Sequence, residues 1–220
     1  INNRIINNHQ YVTFNFKNKQ YSFKTSLIGK IQIDNLLMAV LAANKVIPIS
    51  KIVKVLHKIK SINGRLEIIG NIKNLSTVIL DYAHTPEAIN SCIKNIKKHF
   101  KYSNISILFG CGGERDKSKR EDMGKIANDL CQKIYLTDDN PRSENPSEIR
   151  KQIKRKINKK KLYEIPSRKL AIKKAINDLK SGDVLIVAGK GHENYQEYNS
   201  KISFSDKKFI NIFIRNKNKL

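Results

Sequence analysis

The chain has 220 residues, 40% hydrophobic and 28% charged, with 43 Lys plus Arg against 19 Asp plus Glu and a formal net charge of +24. That hydrophobic share is enough for a core, which excludes wholesale disorder. No apolar run approaches the roughly 18 residues of a membrane-spanning helix, which excludes a helical membrane protein.

The chain opens at Ile1 in a polar stretch, INNRIINN, with neither an initiator Met nor the apolar core of a signal peptide, and so reads as an internal portion of a longer protein. Residues 11–16 and 21–27 alternate apolar with polar around KNKQ, a β-hairpin pattern. After Gly29 the pattern changes: residues 34–44, DNLLMAVLAAN, are rich in helix formers, and Ser50 is placed to cap a second short helix through Ile59.

From Gly64 onward, short β-branched runs alternate with amphipathic ones. Strands are expected at 66–72, 77–82, 105–109, 133–137, 161–165 and 183–188, and helices at 86–99, 119–130, 146–158, 169–179 and 206–215. Pro86 and Pro146 suit first helical turns, and Gly182 follows the fourth of these helices as a stop. This alternation predicts an α/β fold with a mostly parallel sheet covered on both faces. The Lys-rich patch KINKKK reads as a solvated helix end and turn.

The cysteines Cys92, Cys111 and Cys131 are odd in number and lack C-x-x-C spacing. Reduced thiols in a cytoplasmic setting are expected, with no metal site among these residues. The basic charge invites a nucleic-acid reading. However, Lys is spread with Asn and Ile over every element, Trp is absent, and aromatics fall mainly on expected strands, so a solvated surface with no specific nucleic-acid or membrane partner is the favoured reading.

Polar residues cluster just after four expected strands: Asp81–Pro86 (DYAHTP), GCGGERDK from Gly110, Asp138-Asp139-Asn140-Pro141-Arg142, and Gly189-Lys190-Gly191-His192-Glu193. In an open α/β sheet that edge is where ligands bind. Asp81 either holds a turn or joins the site, and His84 is a helix cap, a core histidine or a site residue. Neither glycine cluster has dinucleotide or P-loop spacing, although glycines permit close backbone approach to a ligand. Cys111 lacks an evident base and reads as a packing residue. Asn140 and Arg142 flank a rigid Pro141, an arrangement suited to a carboxylate; Glu193 offers the opposite charge, so together they suit a zwitterionic amino acid.

The run from GRLE at Gly64 through DYAHTPEA, FGCGGERDKSKR, TDDNPRSENP and GKGHENYQ resembles the C-terminal region of the Mur ligases, in particular their diaminopimelate-adding branch. The resemblance implies a Rossmann-like domain over residues 63–220. Residues 1–62, with Gly29 and Asn35 in LIGKIQIDNLLMA, would be the end of the family's central α/β ATPase domain. It further implies ATP-dependent addition of meso-diaminopimelate to UDP-N-acetylmuramoyl-L-alanyl-D-glutamate in peptidoglycan synthesis, through an acyl phosphate and with Mg2+.

Carried over by motif, Asp139, Asn140, Pro141 and Arg142 form the diaminopimelate signature. Asn140 and Arg142 would hold the distal carboxylate, Gly189 and Glu193 the distal ammonium, and Arg115 the carboxylate nearer the attacking amine. Asn35, Arg65, Asp81 and His84 match positions tied to the nucleotide or domain closure, and Lys117 is assigned to phosphate. Ile31-Gln32 departs from the family's usual Phe-Asn; Glu114, Ser118, Ser167 and Asn145 are further departures. No GKT-type phosphate loop is present. The chain is therefore not expected to catalyse alone, and the missing N-terminal and central domains, with the main metal ligands, are expected in cis or as a partner. The competing readings are a lysine-adding or folylpolyglutamate ligase of the same superfamily, or a basic nucleotide- or nucleic-acid-binding module. The Asp-Asn-Pro-Arg run argues against lysine, which has no distal carboxylate for Arg142.

Overall fold

The computed structural model describes residues 1–6, 9–73 and 75–219. Asn7 and Asn8 of the polar opening, and Leu220 at the end of the expected second domain, lie outside the described residues. The chain builds two sheets. The first is antiparallel, in the order β1 (Asn2–Ile6), β2 (His9–Phe16), β3 (Lys19–Thr25). The expected hairpin is β2–β3, closed by Lys17 and Asn18 with φ of 47° and 59°, the left-handed pair that matches strand twist. Alternation buries Val12, Phe14 and Phe23 against α1 (Lys30–Ala43) and α2 (Ile49–Val53), with Leu37, Val40 and Ile49 completing this core. Ser50 falls inside α2 rather than capping it, and a 3-10 turn at Leu56–Lys58 follows.

The second sheet contains β4 (Glu67–Ile72), β5 (Ser76–Asp81), β6 (Ile105–Phe109), β7 (Lys133–Leu136), β8 (Leu162–Glu164) and β9 (Val184–Ala188). Its order is β4-β5-β9-β6-β7-β8, with only β4 antiparallel to its neighbour. Both faces are covered, so the central strands are apolar throughout. Ile79, Ile107 and Ile186 face α3 (Pro86–His99), α4 (Lys119–Leu130) and α5 (Pro146–Lys154). Val78, Leu80, Leu185 and Val187 face α6 (Arg168–Asn177) and α7 (Asp206–Lys219). Thr85 caps α3, its side chain accepting from Ala88 N–H at 3.2 Å, a contact worth about 1 kcal/mol. A small hairpin, β10 (Tyr195–Tyr198) with β11 (Ser200–Ser203), follows β9.

Because β5, β9, β6 and β7 are adjacent and parallel, their carboxyl ends lie side by side. All four polar loops therefore emerge at one edge. The two units touch beside that edge. Ile28 packs into the second unit's core, Lys30 N–H donates to Asn95 Oδ1 at 3.0 Å, and Gln32 Nε2 donates to the Arg65 carbonyl at 3.1 Å. No helix among the described residues is long and apolar enough to cross a membrane.

Candidate functional site

The loops enclose a polar cleft of about 300 Å3, lined among others by Arg115, Asp139, Asn140, Arg142, Gly189 and Glu193. Six of the seven residues expected to touch the amino acid thus share one cavity. The seventh, Pro141, does not line it; its carbonyl instead lies where a side chain at Gly113 would sit, 2.0 Å from an ideal Cβ. Gly113 thereby allows one loop to approach another, its N–H donating to the Asn140 carbonyl at 2.9 Å, while Gly110 and Gly112 line the cleft.

Asn140 has its amide orientation fixed by its neighbours. Its Oδ1 accepts from Glu197 N–H at 3.0 Å and from Lys190 Nζ at 2.8 Å, two groups that can only donate. Its Nδ2 therefore faces Glu193 Oε2, 3.1 Å away. Arg142 sits at φ 54°, an uncommon left-handed conformation for a non-glycine residue. Its Nη1 donates to the Gly113 carbonyl at 2.6 Å, and its Nε lies 3.2 Å from Glu197 Oε2. Among the described residues Nη2 has no hydrogen-bond partner. Gly189, at φ 109°, has a backbone conformation that side chains rarely adopt, and an ideal Cβ there would stand 2.6 Å from Asp139 Oδ2.

A second cleft of about 530 Å3 lies at the junction of the two units and is lined by Asn35, Arg65, Asp81 and His84, with Ile62, Leu66 and Ala83 as apolar wall. Arg65 stacks over the Tyr82 ring at 4.7 Å. Asp81 accepts from the backbone N–H groups of Leu66 and Ala83, each at 2.8 Å, so it ties two loops together, and burial pushes its carboxyl above the ordinary range. His84 is exposed and not a cap; its Nδ1 donates to the Tyr82 carbonyl at 2.9 Å. Tyr82 and His84 line both clefts. Lys117 lines neither, and its exposed ammonium lies 3.6 Å from Glu144. Cys111 packs as expected: it is buried, and burial pushes its thiol up.

The sequence matches the model of the Mur ligase glutamate ligase domain over residues 64–191. The chain belongs to the Mur ligase family. A UDP-N-acetylmuramoyl-L-alanyl-D-glutamate–2,6-diaminopimelate ligase of Rickettsia felis is 42% identical over 204 residues, covering 91% of this chain and 38% of the relative. The corresponding protein of Rickettsia bellii is 45% identical over 202 residues, covering 90% and 41%. A solved structure of a ligase with the same name superposes with a TM-score of 0.72 at 30% identity, over 99% of this chain and 44% of that one. The Mur ligase chain thus spans roughly two fifths of the length of the curated relatives it matches.

Arg168 and the bracing strand β10 escaped the sequence reading, as did the burial of Lys190 within its polar loop. Lys190 and Arg168 are fully buried. Arg168 makes a fork to Asp206 at 2.8 and 2.7 Å, donates to the Ala188 carbonyl, and approaches Asp139 to 3.8 Å. Strand β10 braces the Asp138–Arg142 loop along its length. Gln196 Nε2 donates to the Asp139 carbonyl at 3.0 Å, and Tyr198 Oη donates to Asp138 at 3.0 Å. The available signal was slight: Asn199, at φ 49°, is a residue type that tolerates a left-handed turn between two short polar runs.

Proposed function

We propose that this chain is the C-terminal portion of the ligase that joins meso-diaminopimelate to UDP-N-acetylmuramoyl-L-alanyl-D-glutamate in the cytoplasm during peptidoglycan synthesis. The observation that carries the reading is the convergence of Asn140, Arg142, Arg115 and Glu193 on one cleft. Meso-diaminopimelate presents two carboxylates and two ammonium groups, so its site needs cations and an anion set apart. Arg142 Nη2 and Asn140 take the distal carboxylate, Glu193 and the Gly189 backbone take the distal ammonium, and Arg115 takes the carboxylate beside the attacking amine. Asp139 and Pro141 shape the loop.

Charge supports the same assignment. The formal charges around Glu193 are three carboxylates (Asp139, Glu193, Asp206) and two buried cations (Lys190, Arg168). One negative charge is left over, and of the three carboxylates Glu193 is the least buried. An incoming ammonium neutralises it.

The second cleft fits the base and ribose of ATP, with Arg65 and Tyr82 as a flat face and Asn35 and His84 as polar edges; Asp81 holds that wall in place. ATP, when bound, supplies the phosphoryl group that activates the D-glutamyl carboxylate. The residues seen here orient the amine toward that carboxylate, a positioning contribution. The main ligands of Mg2+ are assigned, as the family resemblance implies, to the central domain. Lys117 lies outside both clefts.

Residues 1–62 are read as the end of the central ATPase domain, resting on their separate core. Their exposed Met38, Leu41, Val46 and Ile47 would be covered by the rest of that domain. Joining the chain to a central ATPase domain and following phosphate release tests the reading. Turnover with meso-diaminopimelate should exceed that with L-lysine at least about a hundredfold, because unpaired polar groups reject the analogue. Equal use of both, or a preference for lysine, overturns it.

A further inference from the structure

Glu197 reaches both groups that face the distal carboxylate, and does so through three different atoms. Its N–H donates to Asn140 Oδ1 at 3.0 Å, its carbonyl accepts from Arg142 N–H at 2.9 Å, and its Oε2 lies 3.2 Å from Arg142 Nε. It does not line the cleft itself. The backbone pairing holds Arg142 in its left-handed conformation, with Asn199 N–H closing on the Arg142 carbonyl at 3.2 Å. The carboxylate then fixes the guanidinium plane: with Nε on Glu197 and Nη1 on the Gly113 carbonyl, rotation about the end of the side chain is blocked and Nη2 is aimed.

We propose that Glu197 is a positioning residue that sets the selectivity of this site for a diamino dicarboxylic acid over a diamino monocarboxylic one, acting through Arg142. The proposal rests on the diaminopimelate reading of the cleft. Two effects of the Glu197 carboxylate oppose each other. Its negative charge repels the ligand's carboxylate, and its hydrogen bond orients the guanidinium. The Arg142 and Glu197 side chains are 21% and 26% exposed, so solvent weakens the repulsion, whereas a planar fork delivers bidentate recognition only when correctly aimed. Orientation dominates.

The test is a titration of the 220-residue chain with meso-diaminopimelate and with L-lysine, followed by NMR so that millimolar affinities are measurable. Glu197→Ala should weaken meso-diaminopimelate about tenfold and leave L-lysine within about twofold, since lysine has no group for Arg142 to meet. Glu197→Gln keeps an acceptor for Nε without the charge and should stay within about threefold of the parent for meso-diaminopimelate. If Glu197→Ala does not fold, Glu197→Asp, one methylene shorter, replaces it with a loss in the same direction. Unchanged meso-diaminopimelate affinity in the alanine variant, or an equal loss for both ligands, overturns the proposal. Arg142→Ala separates the two levels. If it loses affinity while Glu197→Ala does not, only the role of Glu197 fails; if it too is unchanged, the reading of the cleft fails.

Discussion

Lys190, with no exposed side-chain surface, places its Nζ 3.0 Å from Glu193 Oε2, so the proposed ammonium site is built around a resident ammonium. Lys190 also holds Asn140 at 2.8 Å. A buried cation that bridges two ligand-facing groups fixes their separation before any substrate arrives.

Removing that cation leaves Glu193 without its ion-pair partner and Asp139 with only the more distant Arg168. Lys190→Met should destabilise the chain by about 3 to 5 kcal/mol, the usual effect of breaking a buried ion pair from one side. Urea unfolding measures it, and a change below about 1 kcal/mol would mean that the pair is not desolvated in the way its burial implies.

The contact between the GCGG and Asp-Asn-Pro-Arg loops is equally confined. Gly113→Ala puts a methyl group 2.0 Å from the Pro141 carbonyl, an overpacking expected to cost about 1 to 3 kcal/mol. Because the displaced backbone carries Asn140 and Arg142, affinity for meso-diaminopimelate should fall as well. A calorimetric melt and a ligand titration of the same variant check both effects.

Acid stability should carry the signature of Glu144. Its hydrogen bond to buried Arg120 holds its carboxyl at about 2, below the ordinary value of 4.5. The folded-state value is depressed, so the stabilisation is present above about pH 4.5 and lost as pH falls toward 2. Comparing parent and Glu144→Gln across that window, the advantage of the parent should shrink steadily with acidification. A constant difference would show that the pair contributes nothing through ionisation.

Much of the fold was legible in the sequence, for local reasons. Helix α3 begins at Pro86 and ends at His99 as expected, because Thr85, Pro86 and the apolar spacing all lie within the segment. Helix α1 starts at Lys30, four residues before the expected start at Asp34. The first N–H of that helix is satisfied by Asn95 of α3, a partner distant in sequence that no local pattern reveals. Strand β1 and the β10–β11 hairpin were missed because they are short and largely polar, held by pairing rather than by a buried face. The loops bearing Asn140, Arg142 and Glu193 were found because strand ends announce themselves. The burial of Lys190, within one of those loops, and of Arg168 and Arg120 was not, since among 43 basic residues nothing in the sequence separates an internal cation from a solvated one.

The proposed selectivity rests most directly on Arg142. Binding of meso-diaminopimelate and of L-lysine to the chain carrying Arg142→Ala measures it. Losing one partner of a desolvated charged pair costs about 2 to 5 kcal/mol, so affinity for meso-diaminopimelate should fall by between about thirtyfold and a few thousandfold, with lysine little changed and ADP binding intact. Undiminished meso-diaminopimelate binding, or an equal loss for both amino acids, would contradict the claim that this cleft recognises the distal carboxylate.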